Sequence, residues 1–259
     1  MISAQELQSV ANELRGEVLK MVVAAGAGHV AGSMSSAEII ATLYFSGMVD
    51  LESDKIILSC GHYVPIQYAA IEKLGLIRKE ELKTFMKIGS RLPGHPERGI
   101  TPGIEVSAGP LGQGISVAVG MAIGNKGKVY CLVSDGELQE GQVWEAINLA
   151  VVRRLNNLII IVDVNGIQIE HYVNEVVENT NYAGRLEAFG AHVIEINGND
   201  VSQVMSALER AKRVVGQVVV IVAKTVAGKG VSFMENEPEW HDRVPTKSEL
   251  KVALGELKC

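Results

Sequence analysis

"KVYCLVSDGELQEGQVWEAINLAVVRRLNNLIIIVDVNG" occupies residues 128–166. Two apolar runs, "KVYCLV" and "NLIIIVDVN" (157–165), flank a stretch with helical character near 140–153. Neither run alternates apolar with polar residues, as a half-solvated strand would. Such runs read as strands covered on both faces, and strand, helix, strand in this span is one βαβ unit.

The same alternation extends to either side. Leu7, Val10, Ala11, Leu14, Val18, Met21 and Val22 recur at helical spacing and predict a helix over 5–25. A second helix is expected over 35–46, a strand at "DKIILS" (54–59), and helices over 63–74 and 111–125. Beyond the opening unit come helix 181–188, strand 190–196, helix 200–214 with Asp200 and Gln203 as a capping box, and strand 217–224. Thr246 and Glu249 mark the start of a last short helix. The fold class is therefore α/β, a mostly parallel sheet with helices on both faces. No domain boundary, repeat or low-complexity tract interrupts residues 1–259.

One long stretch has no period. Residues 85–110 are rich in Gly and Pro, and a loop of that length inside a domain reads as a folded site loop. A second aperiodic stretch, "TVAGKGVSFMENEPEWHDRVP", follows the final strand.

Composition narrows the function. The chain has 259 residues, 47% apolar, with a net charge of −6 and no basic tract, which disfavours nucleic acid as a partner. The longest apolar stretches are too short to span a bilayer, and the N-terminus lacks an apolar leader core. Three cysteines, Cys60, Cys131 and Cys259, form no close-spaced pair, which points to a reducing cytoplasm.

The strand ends carry the chemistry. In open parallel sheets ligands bind beyond the carboxyl ends of the strands. Asp135 follows the first strand and Asn165 the second, thirty positions on. A carboxylate, an amide oxygen and a backbone carbonyl are hard ligands suited to Mg²⁺, which completes its shell with phosphate oxygens. The acid then binds a cation that binds a phosphate, and Gly136 lets the backbone approach closely. Asp-Gly and Asn-Gly after a strand are also ordinary turn chemistry.

Six histidines are present. His29, His62 and His95 each follow a glycine, and His241 lies in the late loop; His171 in a turn and His192 in a strand read as structural. Zinc would call for His-x-x-x-His or Cys-x-x-Cys spacing, which is absent. The other reading is a polar cluster that moves protons and binds hydroxyls, since imidazole titrates near neutrality.

Together these motifs resemble the transketolase family, specifically its N-terminal, diphosphate-binding half as found in transketolases split into two polypeptides. The resemblance rests on "GAGHVAGSMSSAEIIATLYF" (26–45), "ILSCGHYVP" (57–65), "GSRLPGHPERGITPGIEVSAGPLGQG" (89–114), "SDGELQEGQVWEA" (134–146), "IIIVDVNGIQI" (159–169), and "AKTVAGKGVSFMEN" (223–236) with His241. It implies a single domain over 1–259 that binds thiamine diphosphate, with Mg²⁺ (Ca²⁺ or Mn²⁺ as substitutes) on Asp135, the Asn165 side chain and the Ile167 carbonyl. Gly136 would contact the diphosphate, and Gly109 and Leu111 the aminopyrimidine side. His29 and His241 would lie near the cofactor and reacting carbons, and His62 and His95 would bind donor-sugar hydroxyls. His62 and His241 would also touch the cofactor. Glu140 resembles a carboxylate that links paired active sites, and equally fits a first-turn helix acid.

The resemblance further implies a ketol transferase of carbohydrate metabolism, as in the pentose phosphate pathway. It would work with a separate C-terminal subunit, in an α2β2 assembly, because nothing after Val244 reads as the pyrimidine-binding or C-terminal domain. Four places depart from the family pattern: Ser134 and Asp242 where glycine is usual, Val30 with Ala31 in "GHVAGS", and Cys60 where lysine is common. A deoxyxylulose-phosphate-synthase-like enzyme, a specialised-sugar transketolase and a non-catalytic binding half are the alternatives. "GAGHVA" (26–31) also fits a dinucleotide fingerprint, but a helical segment stands where that motif needs a strand.

Overall fold

A computed structural model describes residues 2–178 and 180–258. Its centre is the pair of strands read first: β2 (Val129–Ser134) and β3 (Leu158–Val164) lie side by side and parallel, with Ser134 opposite Asp163. β1 (Lys55–Leu58) adds on the β2 side. On the β3 side come β7 (Val219–Lys224) and then β6 (His192–Asn197), so the last strand inserts between β3 and β6. All four pairings are parallel. A separate two-stranded hairpin joins β4 (Ile167–Gln168) to β5 (His171–Tyr172). His171, expected in a turn, lies in this exposed strand, and His192 begins β6.

Alternation of Cβ direction assigns each strand residue to one face. Ile56, Leu58, Tyr130, Leu132, Ile159 and Ile161 pack into one buried cluster. Helices α1 (Ala4–Ala25), α3 (Ala37–Phe45), α4 (Val64–Lys73), α9 (Val201–Arg213) and α10 (Lys247–Glu256) contribute to that layer. Ile57, Cys131, Val133, Ile160, Val162 and Val220 fill the other, against α5 (Gln113–Gly124), α6 (Gly141–Val152) and α8 (Tyr182–Ala188). Both faces are apolar because both are covered, which is why these strands show no alternation in sequence. Among the described residues no helix is long and apolar enough to cross a membrane.

Three local expectations need correction. The helix expected over 35–46 is two helices: α2 (Ala31–Ser35) ends at Ser36 before α3 begins. Ser35 and Ser36 both turn their hydroxyls back onto the Gly32 carbonyl, at 3.0 and 2.9 Å, a local bond that competes with a continuous helix. At α9, Asp200 caps the N–H groups of Ser202 and Gln203, but the Gln203 amide oxygen accepts from Asn197 N–H, so the box is not reciprocal. A short helix, α7 (Val173–Val176), follows the hairpin where no element was expected. The Thr246–Glu249 box at α10 forms in full.

The aperiodic stretch 85–110 is folded against the core. Phe85, Leu92, Ile104 and Val106 are buried, and the Tyr68 hydroxyl donates to the Pro93 carbonyl at 2.9 Å. Gly61 lets this loop approach β1's end, since a Cβ there would lie 2.6 Å from the Ala108 carbonyl oxygen. "GAGHVA" sits between α1 and α2, with no strand before it, which removes the dinucleotide reading.

Candidate functional site

The carboxyl ends of β2 and β3 are joined through side chains. Asp135 is buried, and its Oδ2 accepts the Gly166 N–H at 2.7 Å while Oδ1 accepts the Gly136 N–H at 2.9 Å. Burial raises this carboxyl to about 7, and no basic side chain among the described residues pairs with it. A buried acid with no counter-charge is well suited to a cation.

Asn165, at the end of the neighbouring strand, is held in one orientation. Its Nδ2 donates to Tyr63 Oη at 2.9 Å, Asp163 Oδ2 at 3.0 Å and Ser35 Oγ at 3.2 Å. Those bonds fix which end of the amide is nitrogen, so Oδ1 points the other way and accepts the Ile167 N–H at 3.0 Å. Asp163 organises this group. Fully buried inside β3, it accepts from Ser35 Oγ (2.7 Å), Tyr63 Oη (2.9 Å) and Thr225 Oγ1 (2.5 Å) as well as Asn165. Four chain segments thus converge behind Asn165. Asp135, Asn165 and Ile167 are all oxygen donors of the hard type that Mg²⁺ or Ca²⁺ prefers. They also line a cavity of 560 Å³, within the range of cofactor pockets.

The histidines form the other half. His29 lies 5.2 Å from His62, 5.3 Å from His241 and 6.1 Å from His95, ring centre to ring centre, and His62 lies 5.4 Å from His241. Each comes from a different segment: His29 precedes α2, His62 the turn after β1, His95 the long loop, and His241 the turn before α10. The Val30 N–H donates to the His241 carbonyl at 3.0 Å, which ties two of those segments together. The four rings line a second cavity of 170 Å³ with Gly109, Leu111, Gly136 and Ile167, so the two cavities meet at Ile167. Burial pushes His29 down to about 4, with repulsion from His241 and His95 adding to it. Burial holds His62 well below its usual value, and His95 and His241 are lowered by the same cause. All four are neutral at pH 7 and can accept a proton from a substrate hydroxyl. Among the described residues, no three His, Cys, Asp or Glu side chains are grouped to hold a metal by themselves.

The loop that carries Gly109 and Leu111 is anchored by Glu137. This carboxylate is fully buried; Oε1 accepts the Gly112 N–H at 2.6 Å and the Ser59 hydroxyl at 2.5 Å. Ser134 ends β2 with ordinary strand backbone, and its Oγ accepts the Glu137 N–H at 3.2 Å. A serine is therefore accommodated where glycine is usual, and it caps the turn that follows.

The structure thus brings together every expected site residue but one. Glu140 is exposed at the start of α6 and lines neither cavity. Of the four departures only Ser134 lines the histidine cavity; Val30 and Cys60 are buried behind it and Asp242 lies outside it. Asp163, Tyr63, Ser35, Thr225 and Glu137 escaped the sequence reading. The signals were an acid inside "LIIIVDVN" and a second acid in "SDGEL", each buried only because of distant partners.

Comparison with known proteins identifies the family to which this sequence and fold belong. Residues 7–254 match the family described as "Transketolase, thiamine diphosphate binding domain". An apulose-4-phosphate transketolase subunit of Actinobacillus succinogenes is 38% identical over 99% of this chain and 98% of that protein. The 6-deoxy-6-sulfo-D-fructose transketolase subunit SqwG of a Clostridium species is also 38% identical, over 98% and 96%. Human transketolase is 36% identical, but the chain spans only 42% of its length. The transketolase structure from Leishmania mexicana superposes with a TM-score of 0.92 at 32% identity, covering all of this chain and 42% of that one. The chain belongs to the transketolase family of transferases, as a member built on its thiamine-diphosphate-binding domain.

Proposed function

We propose that this chain is the cofactor-binding subunit of a two-chain transketolase, which moves a two-carbon ketol unit from a ketose to an aldose, free or phosphorylated. The observation that carries the reading is the junction at Ile167 of an oxygen-ligand site and a four-histidine cavity. Mg²⁺ would be held by Asp135, Asn165 and Ile167, with thiamine diphosphate extending toward Gly109 and Leu111. When bound, that cofactor supplies a carbon nucleophile and an electron sink for cleaving the bond beside a carbonyl. The protein's own part is positional and protolytic. His62 and His95 bind donor hydroxyls, and the neutral imidazoles take a hydroxyl proton during cleavage and return it when the acceptor is joined. His29, His62 and His241 are partly buried, which limits bulk water along that proton path, while His95 lies at its exposed edge.

A partner chain belongs to the same proposal. No Lys or Arg lines the histidine cavity among the described residues, and Lys224 lines only the adjoining one, so a partner chain is proposed to bind a substrate phosphate or sulfonate. Val117 and Ile123 on α5 and Leu149 and Val152 on α6 are exposed on two helices that pack together, and they supply an apolar docking face. An α2β2 assembly fits that arrangement. Cys60 and Cys131 are free and buried, which suits a cytoplasmic setting; Cys259 lies outside the described residues.

Two relatives matched over nearly their whole length carry the names of specialised sugars, so the donor is tested across classes. The chain and its C-terminal partner, with Mg²⁺ and thiamine diphosphate, are assayed for ketol transfer from xylulose 5-phosphate, apulose 4-phosphate and 6-deoxy-6-sulfofructose. Transfer from at least one is expected, and a cofactor-loaded complex inert toward all three would refute the assignment as a transketolase for these donor classes.

A further inference from the structure

Gly112 occupies the third position of a turn from Pro110 to Gln113. Its φ of 83° and ψ of −9° are those of a type II turn, and Gln113 N–H points to the Pro110 carbonyl at 3.4 Å. Type II and type I turns differ by rotation of the central peptide plane, here the one between Leu111 and Gly112.

That plane is held at both ends. Its carbonyl, Leu111 O, accepts from Gln142 Nε2 at 2.6 Å; its N–H, on Gly112, donates to Glu137 Oε1 at 2.6 Å. The two clamping residues come from the start of α6 and the turn after β2. Glu137 is itself fixed by Ser59, whose hydroxyl also accepts the Ile115 N–H at 2.8 Å from the first turn of α5. Gly112 is required for a second reason, because a Cβ there would lie 2.5 Å from Gln142 Cγ.

We propose that Glu137 and Gln142 are positioning residues that lock the Leu111–Gly112 peptide plane, so that the backbone of Leu111 presents one fixed face to the organic end of the cofactor. This rests on the functional reading above, in which Leu111 lies on the aminopyrimidine side. Neither residue touches the cavity that the histidines line. Their effect is transmitted through the turn. Substitution should therefore weaken recognition of the organic end while leaving the diphosphate end unchanged.

The test uses the full chain with its C-terminal partner, titrated calorimetrically with thiamine diphosphate and, separately, with inorganic diphosphate, both with Mg²⁺. Gln142→Glu sets a carboxylate against the Leu111 carbonyl, and Gln142→Ala removes the donor without adding charge. Both should weaken thiamine diphosphate by about tenfold, the equivalent of one lost hydrogen bond of about 1.4 kcal/mol, and leave inorganic diphosphate unchanged. Glu137→Gln retains an acceptor for Gly112 and should bind near wild type. Hydrogen exchange at the Gly112 amide should accelerate in Glu137→Ala. Unchanged thiamine diphosphate affinity in both Gln142 variants, or parallel loss of both ligands, would overturn the inference alone. A wild-type complex that binds neither ligand would overturn the functional reading and this inference with it.

Discussion

The Asp135 carboxylate bonds to the backbone of the neighbouring strand end, accepting the Gly166 N–H at 2.7 Å. One acid therefore braces two strands, and its remaining lone pairs would be the ones to hold the proposed cation. Asp135→Asn keeps the shape but turns an N–H₂ toward a donor and removes the charge. Mg²⁺-dependent cofactor affinity should fall by about 10- to 100-fold, as for loss of a charged hydrogen-bonding partner, measured by titration at fixed pH. Affinity within threefold of wild type would count against the assigned role.

Asp163 stands behind Asn165 and sets which way its amide faces. Asp163→Ala removes the acceptor that three hydroxyls and the Asn165 amide share. Metal-dependent affinity should fall about 10- to 100-fold, the usual size for an outer partner of a metal ligand. Tyr63→Phe removes one of several bonds and should cost less. If Asp163→Ala lowers melting temperature but leaves the affinity of the folded protein intact, the orienting role fails.

The histidines make stability depend on pH. An unfolded histidine titrates near 6.5 and folded His29 near 4, so between those values protons bind the unfolded chain preferentially. Their contribution to stability is complete above pH 6.5 and is lost as pH falls toward about 4. His62 acts in the same direction. Thermal melts from pH 7 to 5 should show a shallower decline in His29→Asn and His62→Asn than in wild type. Parallel curves would show that these rings are not held neutral.

Gly32 lies against the ring of Tyr63, where a Cβ would come within 1.9 Å of the aromatic carbon Cε1. Gly32→Ala must move Tyr63 and with it the hydroxyl that meets Asp163 and Asn165. Overpacking of this kind costs about 1–3 kcal/mol, roughly 2–12 °C of melting temperature for a chain of this size. Cofactor affinity should fall with it. A melt unchanged within a degree would show that the ring moves freely.

The layered sheet was legible because β2, β3 and β7 are buried on both faces and so read as unbroken apolar runs. The Gly-His loops and the strand-end Asp135 and Asn165 stood out only in combination, since Asp-Gly or Asn-Gly after a strand is by itself ordinary turn chemistry. What stayed hidden depends on residues far apart in the chain. Asp163 looks anomalous in a strand until Ser35, Tyr63 and Thr225 arrive from three other segments. The break at Ser36 comes from hydroxyls competing for the Gly32 carbonyl, which periodicity does not report. The insertion of β7 between β3 and β6 is a pairing choice made in three dimensions. Glu140 matched a motif, yet its side chain faces outward from the chain's own cavities.

In the proposed function, Asp135, Asn165 and Ile167 hold a metal that carries thiamine diphosphate. The most direct measurement is calorimetric titration of thiamine diphosphate into this chain with its partner subunit, with Mg²⁺ and with the metal chelated, for wild type and Asp135→Ala. Saturable binding is expected that needs the metal and is lost in the variant while the fold survives by circular dichroism. Binding that persists without divalent metal, or that survives in Asp135→Ala, would contradict that role.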